Sequence, residues 1–572
     1  MNYFRYKGYI LLLINYIILL FNIHLISAQD PLIGIVSDEL EREYAKLKEE
    51  NYPPYYLSYR IDEVYSTVIE STFGSLTQSD EYKGRILTAT VRVGSYELDN
   101  THELKKGYNL GNISHSHGTI FPVENDTQAL KQVIWRVTDR AYKNAASSYS
   151  TIISSLKNDS VEDICDFSKE PAVNYYEPPD AKSGNEFDKA AWEEKIKKYS
   201  VPFLEEKSVL VAKALINYFN ERKYFISSEG SRIAQNKTYT RLQIFAKIKA
   251  DDGSMLPLYK SYYAYRPSGL PDDKQIMEDV EQLIGKLKEL KNASVAEPYT
   301  GPAILSPGAA GVFFHEIFGH RIEGHRLRKE TDGHTFKNKI GERVLPKYMD
   351  VIFDPTLDNY KGIDLFGSYK YDDQGVKASR VKVVDKGILN SFLMSRTPVK
   401  GFASSNGHGR AQAGMYPVAR QSNLVVETSS PLSDKELRKL LIKECKKQKK
   451  EYGYFFKEVI GGFTLTNIYA PNVFNIIPTE VYRIYVDGRP DELVRGVELV
   501  GTPLLMFSEI QATGDSPEVF TGFCGAESGN VPVTAISPSL FVRKIETQKK
   551  PEDEGQMPVL PRPGFNKENG NY

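Results

Sequence analysis

Cysteine is scarce in this chain of 572 residues, and that scarcity excludes a disulfide framework. Its three cysteines, Cys165, Cys445 and Cys524, allow at most one disulfide bond, which is too few to stabilise an exported protein of this size. Cys445 continues the helical apolar stripe of Leu437 and Leu441, so we expect it to be buried packing.

A surplus of charge of either sign is also missing. Lysine and arginine number 73 against 74 aspartates and glutamates, which gives a net charge of −1. This balance gives no support for a nucleic-acid surface or for a broadly acidic substrate. We therefore predict no nucleic-acid partner.

After the N-terminus the chain has no apolar run that predicts a stable membrane span. Residues 1–28 instead have the three parts of a secretory signal peptide: a basic start, an apolar stretch and a small-residue cleavage site (Arg5 and Lys7, Tyr9 to Phe21, and Ile26-Ser27-Ala28). A retained anchor is the alternative, which Asn15, Asn22 and His24 disfavour. We predict an exported protein, periplasmic or extracellular.

The remaining chain predicts an α+β fold of two domains. An N-terminal α/β-type domain is expected over 29–298 and a C-terminal domain of largely antiparallel sheet over 299–547, with a disordered tail over 548–572. Helices are predicted near 129–157 (with Trp135 in the core), 187–198, 208–220 and 276–292. Asp385-Lys386-Gly387 is predicted as the turn of a hairpin within residues 379–393.

The most informative stretch is residues 306–325. Ser306 can cap a helix and Pro307 can occupy its first turn, and an apolar run then leads to His315, Glu316 and His320. The two histidines are five residues apart, which separates them by about 140° on a regular helix. A π-type turn would bring both rings to one side, so we predict a kinked or bulged helix at residues 318–320, where Gly319 offers no side chain to resist it.

Two imidazoles flanking a carboxylate are what a hydrolytic zinc site needs, because the histidines hold the ion and the glutamate takes a proton from its water. A loose His-Glu-x-x-x-His match also arises by chance among ordinary helix histidines. Residues 303–325, which read Ala-Ile-Leu-Ser-Pro-Gly-Ala-Ala-Gly-Val-Phe-Phe-His-Glu-Ile-Phe-Gly-His-Arg-Ile-Glu-Gly-His, resemble the signature of the TldD/PmbA family of metallopeptidases. The resemblance implies one Zn²⁺ held by His315 and His320, with Glu316 as the catalytic base.

A second segment, residues 521–533, is similar to the family's C-terminal Cys-Gly segment, whose cysteine completes the zinc site. The resemblance thus implies Cys524 as the third ligand, with the fourth position left for water. It covers residues 300–545 well and the first half weakly. The alternative for Cys524 is a small buried residue without a ligand role.

Five further residues are candidates to surround the ion or the substrate. Glu323 can orient a ligand imidazole, and His325 is either a third nitrogen ligand or a neighbour of the ligands. His408 and Arg410, in a glycine-rich loop, can meet a peptide carbonyl or carboxylate, or simply stabilise that loop. Tyr482 and His408 are candidates to stabilise an oxyanion.

The resemblance implies a zinc-dependent peptidase that acts on peptides or unfolded segments, within a homodimer or a heterodimer with a related subunit. An extended substrate can bind as an added strand at a sheet edge. Two alternatives remain: a non-catalytic partner subunit, which the retained metal motif disfavours, and an exported binding protein with structural zinc. Structural zinc would tolerate replacement of Glu316 by glutamine, whereas peptide cleavage would not.

Overall fold

The computed structural model describes residues 30–104, 118–156, 164–181, 186–329, 332, 334–464, 466 and 474–549. The predicted signal peptide and nearly all of the predicted tail lie outside this part of the chain, so both stay predictions. Across the described ranges, no helix combines the length and the apolar character that crossing a membrane requires.

The first half is built on a seven-stranded sheet with very long strands. The strands are β1 (Pro54–Thr72), β2 (Ser75–Val93), β3 (Thr119–Phe121), β4 (Asn174–Tyr176), β5 (Val209–Ser227), β6 (Arg232–Lys249) and β7 (Met255–Ala264). Their order in the sheet is β3-β2-β1-β5-β6-β4, with β7 pairing with β6, and every pair is antiparallel except β4 with β6.

Four helices cover this sheet in two pairs: α1 (Pro31–Leu47), α2 (Thr127–Ser155), α3 (Lys189–Ser200) and α4 (Asp273–Asn292). Helices α1 and α2 share one apolar core with β1, β2 and β5, while α3 and α4 share another with β5, β6 and β7. Each helix begins at an aspartate whose carboxylate accepts a bond from a first-turn backbone N–H group, which caps the helix.

The second half contains two larger sheets. The nine-stranded sheet consists of β8 (Ser294–Val295), β9 (Tyr299–Leu305), β18 (Pro431–Leu432), β19 (Tyr452–Thr464), β20 (Phe474–Tyr485), β21 (Glu492–Arg495), β22 (Val497–Gly501), β23 (Ile510–Gly514) and β26 (Leu540–Lys549). The six-stranded sheet has the order β14-β13-β10-β17-β25-β24, with β10 (Met349–Phe353), β13 (Val381–Asp385), β14 (Ile388–Leu389), β17 (Asn423–Thr428), β24 (Glu518–Ala526) and β25 (Gly529–Ser537). Two short ribbons, β11 (Asn359–Tyr360) with β12 (Ile363–Asp364) and β15 (Gly409–Arg410) with β16 (Val418–Ala419), complete the strands of the described residues.

The main core of this half surrounds helix α5 (Pro307–Ile317), to which both large sheets contribute residues. Two further helices, α6 (Asp434–Lys447) and α7 (Pro503–Ser508), lie against the nine-stranded sheet. The predicted α+β fold, with largely antiparallel sheet in the second half, is confirmed. The predicted domain limits stay predictions.

Two local predictions are wrong. Residues 208–220, predicted as a helix, belong to strand β5, because alternate residues (Ala212, Ala214, Ile216 and Tyr218) are buried and the strand pairs with neighbours on both sides. Trp135, predicted as core, is 51% exposed on α2. The hairpin turn at Asp385-Lys386-Gly387 is confirmed, with Lys386 and Gly387 both at positive φ (48° and 79°) as a two-residue turn requires.

Candidate active site

Helix α5 begins as its sequence predicts. The Ser306 hydroxyl accepts a bond of 3.2 Å from the backbone N–H group of Ala309, and Pro307 occupies the first turn. Gly311 lets the helix approach strand β25 closely, since a Cβ atom at this position would lie only 3.2 Å from the Cβ atom of Ala535. These contacts fix the helix between the two sheets.

The end of the helix differs in kind from the predicted π-type turn. The α-helix stops at Ile317, and a 3₁₀ turn over Gly319–Arg321 follows it. Side chains replace the backbone donors that a longer helix would supply: the Gln421 amide donates to the carbonyl of His315, and the Arg321 guanidinium donates to those of Glu316 and Ile317. The distortion therefore lies where it was predicted, but it is a tightened turn and not a bulge.

The turn places both histidines beside a distant cysteine. The ligand atoms of His315, His320 and Cys524 lie within 4.8 Å of one another, and the Cys524 sulfur is 3.4 Å from His320 Nε2. Ligands of a tetrahedral zinc ion with ordinary bond lengths lie ~3.6 Å apart. Two imidazole nitrogens and one thiolate are also the donor set that zinc prefers, so the residues present fit this ion.

Glu323 fixes the orientation of one histidine. Its carboxylate accepts a bond of 3.2 Å from His320 Nδ1, which leaves Nε2 directed at Cys524. The same carboxylate accepts a bond of 2.9 Å from Arg326 and lies 3.7 Å from the Arg420 guanidinium. Glu323 has no exposed surface. The predicted orienting role of Glu323 has the geometry it needs.

The charges of this cluster favour a thiolate at Cys524. Burial disfavours the charged forms of both Cys524 and His320, but their mutual attraction lowers the pKa of the thiol and raises that of the imidazole. Burial likewise opposes ionisation of Glu323, yet His320 and Arg326 outweigh it and lower its pKa to about 2. A thiolate beside a fixed imidazole is therefore built into the protein itself.

Glu316 lies next to this group and faces open space. Its carboxylate is 3.9 Å from His320 Nε2, and it lines, with His315, a cavity of about 520 Å³. The opposite wall comes from the seven-stranded sheet, where Arg241 and Tyr259 contribute. Gly462 allows the close approach of strand β19, because a Cβ atom there would lie 2.8 Å from Glu316 Cγ.

His325 lies near the cluster without belonging to it. It is buried, and its Nε2 atom is 2.5 Å from a carboxylate oxygen of Glu527. Glu527 also accepts a bond of 3.0 Å from Arg326, which in turn binds Glu323. The structure thus places His325 among the neighbours of the ligands and not with the three ligand atoms.

The remaining candidates lie elsewhere. His408 has no exposed surface, and its two ring nitrogens contact Asn406 and Ser422, which favours the alternative that it stabilises its own loop. Tyr482 contacts Lys286 and Glu480 and does not line the cavity beside Glu316, which argues against an oxyanion role. Arg410 is buried and donates to two backbone carbonyls, yet it lines a second, larger cavity.

Sequence reasoning missed the residues that support the turn. Arg420 and Gln421 lie in the short connection between strands β16 and β17, far from the metal helix in sequence. Glu527 follows Cys524 by three residues. Arg420 and Gln421 belong to the stretch that resembles the family, but no spacing rule connects them with His315 or Glu323. The tertiary fold brings them together, through the contact of Gln421 with the His315 carbonyl and of Arg420 with Glu323.

Comparison with known proteins agrees with this architecture. Residues 298–549 match the family model described as the PmbA/TldA metallopeptidase C-terminal domain. A metalloprotease of Methanothermobacter thermautotrophicus is 28% identical over 326 residues, which are 56% of this chain and 65% of that relative. The match thus spans less than two thirds of its length. A zinc metalloprotease TldD homolog of Saccharolobus solfataricus is 24% identical over 345 residues, which are 58% of this chain and 70% of that relative.

The solved structures show the fold alone. TldE of Thermococcus kodakarensis superimposes with a TM-score of 0.60 at 12% identity, over 90% of this chain and all of that one. The matched domain, the relatives that are named metalloproteases and the shared fold agree with one another. Residues 298–549 of this chain are thus similar to the C-terminal domain of the PmbA/TldA metallopeptidases, and the chain shares the fold of TldE.

Proposed function

We propose that the protein is a zinc-dependent peptidase that hydrolyses peptide bonds in peptides or unfolded segments. The observation that supports this most is the convergence of His315, His320 and Cys524 beside Glu316, at the wall of a cavity. Three protein ligands next to a free carboxylate are typical of catalytic zinc sites, whereas structural sites use four.

The two histidines and Cys524 would hold the ion. When bound, zinc supplies a Lewis acid that polarises the scissile carbonyl and acidifies water. Glu316 accepts the proton of the attacking water and donates it to the leaving amine, because it is the carboxylate that borders both the ligand group and the cavity. Glu323 holds the Nδ1 proton of His320 and keeps its other nitrogen available.

The substrate is proposed to bind as an added strand. Strand β24 is the edge of the six-stranded sheet in the described part of the chain, and its residues 520–523 line the cavity beside Glu316. Backbone hydrogen bonds to an edge strand do not read side chains, which suits a peptidase of broad sequence tolerance. Assembly as a homodimer or with a related subunit, and export by residues 1–28, belong to the same proposal.

Glu316→Gln tests the catalytic role. We expect this change to lower the rate of peptide cleavage by about 10²- to 10⁴-fold, because it removes the general base. Metal content, measured by elemental analysis of the purified protein, should stay at the wild-type level. Cys524→Ala should instead lower both metal content and cleavage.

Glu427→Gln, at an exposed position of strand β17, is the matched control and should change neither property. Full cleavage by Glu316→Gln would contradict the role of Glu316 as the general base. A wild-type protein that contains zinc but cleaves no peptide would contradict the peptidase proposal and favour a binding protein with structural zinc. Absence of metal from the wild-type protein after purification without chelators would contradict the zinc site itself.

A further inference from the structure

A second cavity, of about 1330 Å³, lies beside the proposed catalytic cavity. Phe523, the residue before Cys524, lines both of them. The walls of the larger cavity come from strands β5 and β6, from the loops around residues 355–378 and 410–413, and from residues 530–532. Its volume exceeds the roughly 300–1,000 Å³ of pockets for small ligands, so it suits a segment of peptide.

Lys237, on this wall, forms no ion pair among the residues that the structure describes. Its ammonium group donates to the backbone carbonyl of Phe366 at 3.2 Å. No carboxylate oxygen of the described residues lies within the 4.0 Å of an ion pair with it. Burial and the nearby Arg410 both lower the pKa of Lys237, although Glu221 and Asp373 oppose this shift.

Arg410 is in the same situation. Its guanidinium donates to the backbone carbonyls of Gln421 and Pro532, the latter at 2.8 Å, and the side chain is 4% exposed. Among the residues that the structure describes, it too forms no ion pair with a carboxylate. Half-buried Lys237 and buried Arg410 therefore border one cavity, and neither forms an ion pair with a carboxylate of the described residues.

The acidic residues nearby already contact other cations or backbone N–H groups. Lys223 contacts Asp373 at 2.5 Å and Glu221 at 3.6 Å, and Arg60 contacts Asp62 at 3.0 Å. Burial raises the pKa of Asp372 to about 7, and its carboxylate accepts three backbone N–H bonds. A cation buried without a counter-ion is costly, so an anionic ligand would be strongly favoured at Lys237 and Arg410.

We propose that Lys237 and Arg410 bind a carboxylate of the peptide substrate in the larger cavity. The proposal rests on the proposed peptidase function and names the class of substrate that the site selects. The carboxylate is either the C-terminus of the peptide or an acidic side chain. A single negative charge suits this site, because three carboxylates already share the same buried cluster.

Binding to the Glu316→Gln protein tests the proposal without turnover. Four labelled versions of one peptide are titrated by fluorescence anisotropy: with a free or an amidated C-terminus, and with an internal glutamate or glutamine. We expect at least one of the two carboxylates to tighten binding about 10-fold, because it forms hydrogen bonds to charged groups. Whichever charge has this effect identifies the source.

The same titrations are repeated with a second substitution. Lys237→Met should abolish the preference for the carboxylate and leave the affinity for the neutral peptide unchanged, while Lys237→Arg should keep most of the preference. Lys377→Met removes the same charge from an exposed position on this cavity and should have no effect.

Equal affinity for all four peptides, or no binding by any, would overturn the proposal. So would a Lys237→Met protein that keeps its carboxylate preference or loses affinity for all four peptides equally. Failure of the peptidase function would appear separately, as a wild-type protein that binds these peptides but does not cleave them.

Discussion

Glu323 illustrates how one residue outside the ligand set controls the centre. It has no exposed surface and binds His320 and Arg326 at the same time, so it fixes both the ring orientation and the neighbouring turn. The sequence indicated this role because a metal-bound imidazole needs a partner on its other nitrogen. It could not indicate Arg326, Arg420 or Glu527, which complete the charge balance.

Glu323→Gln should weaken zinc binding by about 10- to 100-fold, because the neutral amide orients and polarises His320 less well. The measurement is a competition for zinc against a chelator of known affinity. Glu297→Gln, at an exposed position just before strand β9, is the control and should bind zinc as the wild-type protein does. Unchanged zinc affinity in Glu323→Gln would show that the contact with His320 is only structural.

His408, unlike Glu323, does not have the surroundings that the sequence suggested. Its glycine-rich loop suggested contact with substrate. In the fold the loop turns inward, and burial lowers the pKa of His408 to about 3. Because this value is below the usual 6.5, the unfolded chain binds more protons between these pH values. His408 therefore removes stability as the pH falls from about 6.5 toward 3.

We expect His408 to lower the free energy of unfolding by about 1.4 kcal/mol per pH unit in this window, or about 2 kcal/mol between pH 6.5 and 5. The check compares chemical unfolding of the wild-type protein and His408→Gln at both pH values. The other titrating groups are common to both proteins, so the difference between the two pH dependences reports His408. Parallel pH profiles would mean that His408 is protonated in the folded protein.

At the scale of elements, the metal helix shows what a sequence pattern can and cannot predict. Its start was predictable, because the Ser306 cap and Pro307 act within one turn. The position of its distortion was also predictable, since His315 and His320 cannot share a face of a regular helix. The kind of distortion depends on Gln421 and Arg321, whose side chains bind the last carbonyls, and no local rule predicts that.

Gly319 is the position at which this element is most sensitive. A Cβ atom there would lie 1.9 Å from the side-chain oxygen of Gln421, a residue without exposed surface. Gly319→Ala should therefore displace the amide that binds the His315 carbonyl, destabilise the protein by about 1–3 kcal/mol and weaken zinc binding. Thermal unfolding and the same zinc competition measure both effects.

Gly308→Ala provides the matched control for this change. It adds the same methyl group within the first turn of the same helix, where no atom lies within 4 Å of the new Cβ. We expect it to be neutral or to stabilise the helix slightly. Equal losses in the two variants would show that the sensitivity belongs to the helix as a whole and not to the turn.

At the scale of the whole molecule, the sequence predicted the fold class better than the course of single strands. Residues 208–220 contain alanine, leucine and lysine, which favour helix, but pairing with β1 and β6 imposes a strand. Long-range contacts of this kind also create the two cavities. The walls of both cavities combine the seven-stranded sheet with strands β24 and β25, and helix α5 adds Glu316 to the smaller one. No local sequence pattern predicts that combination.

If the first half shapes the substrate site, a change on its sheet should affect catalysis without touching the metal. Arg241, on strand β6, lines the cavity beside Glu316 and lies 5.5 Å from the ring of Phe523. Arg241→Met should raise KM for peptide cleavage several-fold, because it removes a positively charged residue from the cavity wall. Metal content should stay constant, because Arg241 is not among the three candidate metal ligands. Arg136→Met, on the exposed face of α2, should leave KM unchanged. A loss of zinc in Arg241→Met would instead mean that the seven-stranded sheet supports the metal centre directly. It would contradict the view that the first half of the chain shapes the substrate site and only the second half holds the metal.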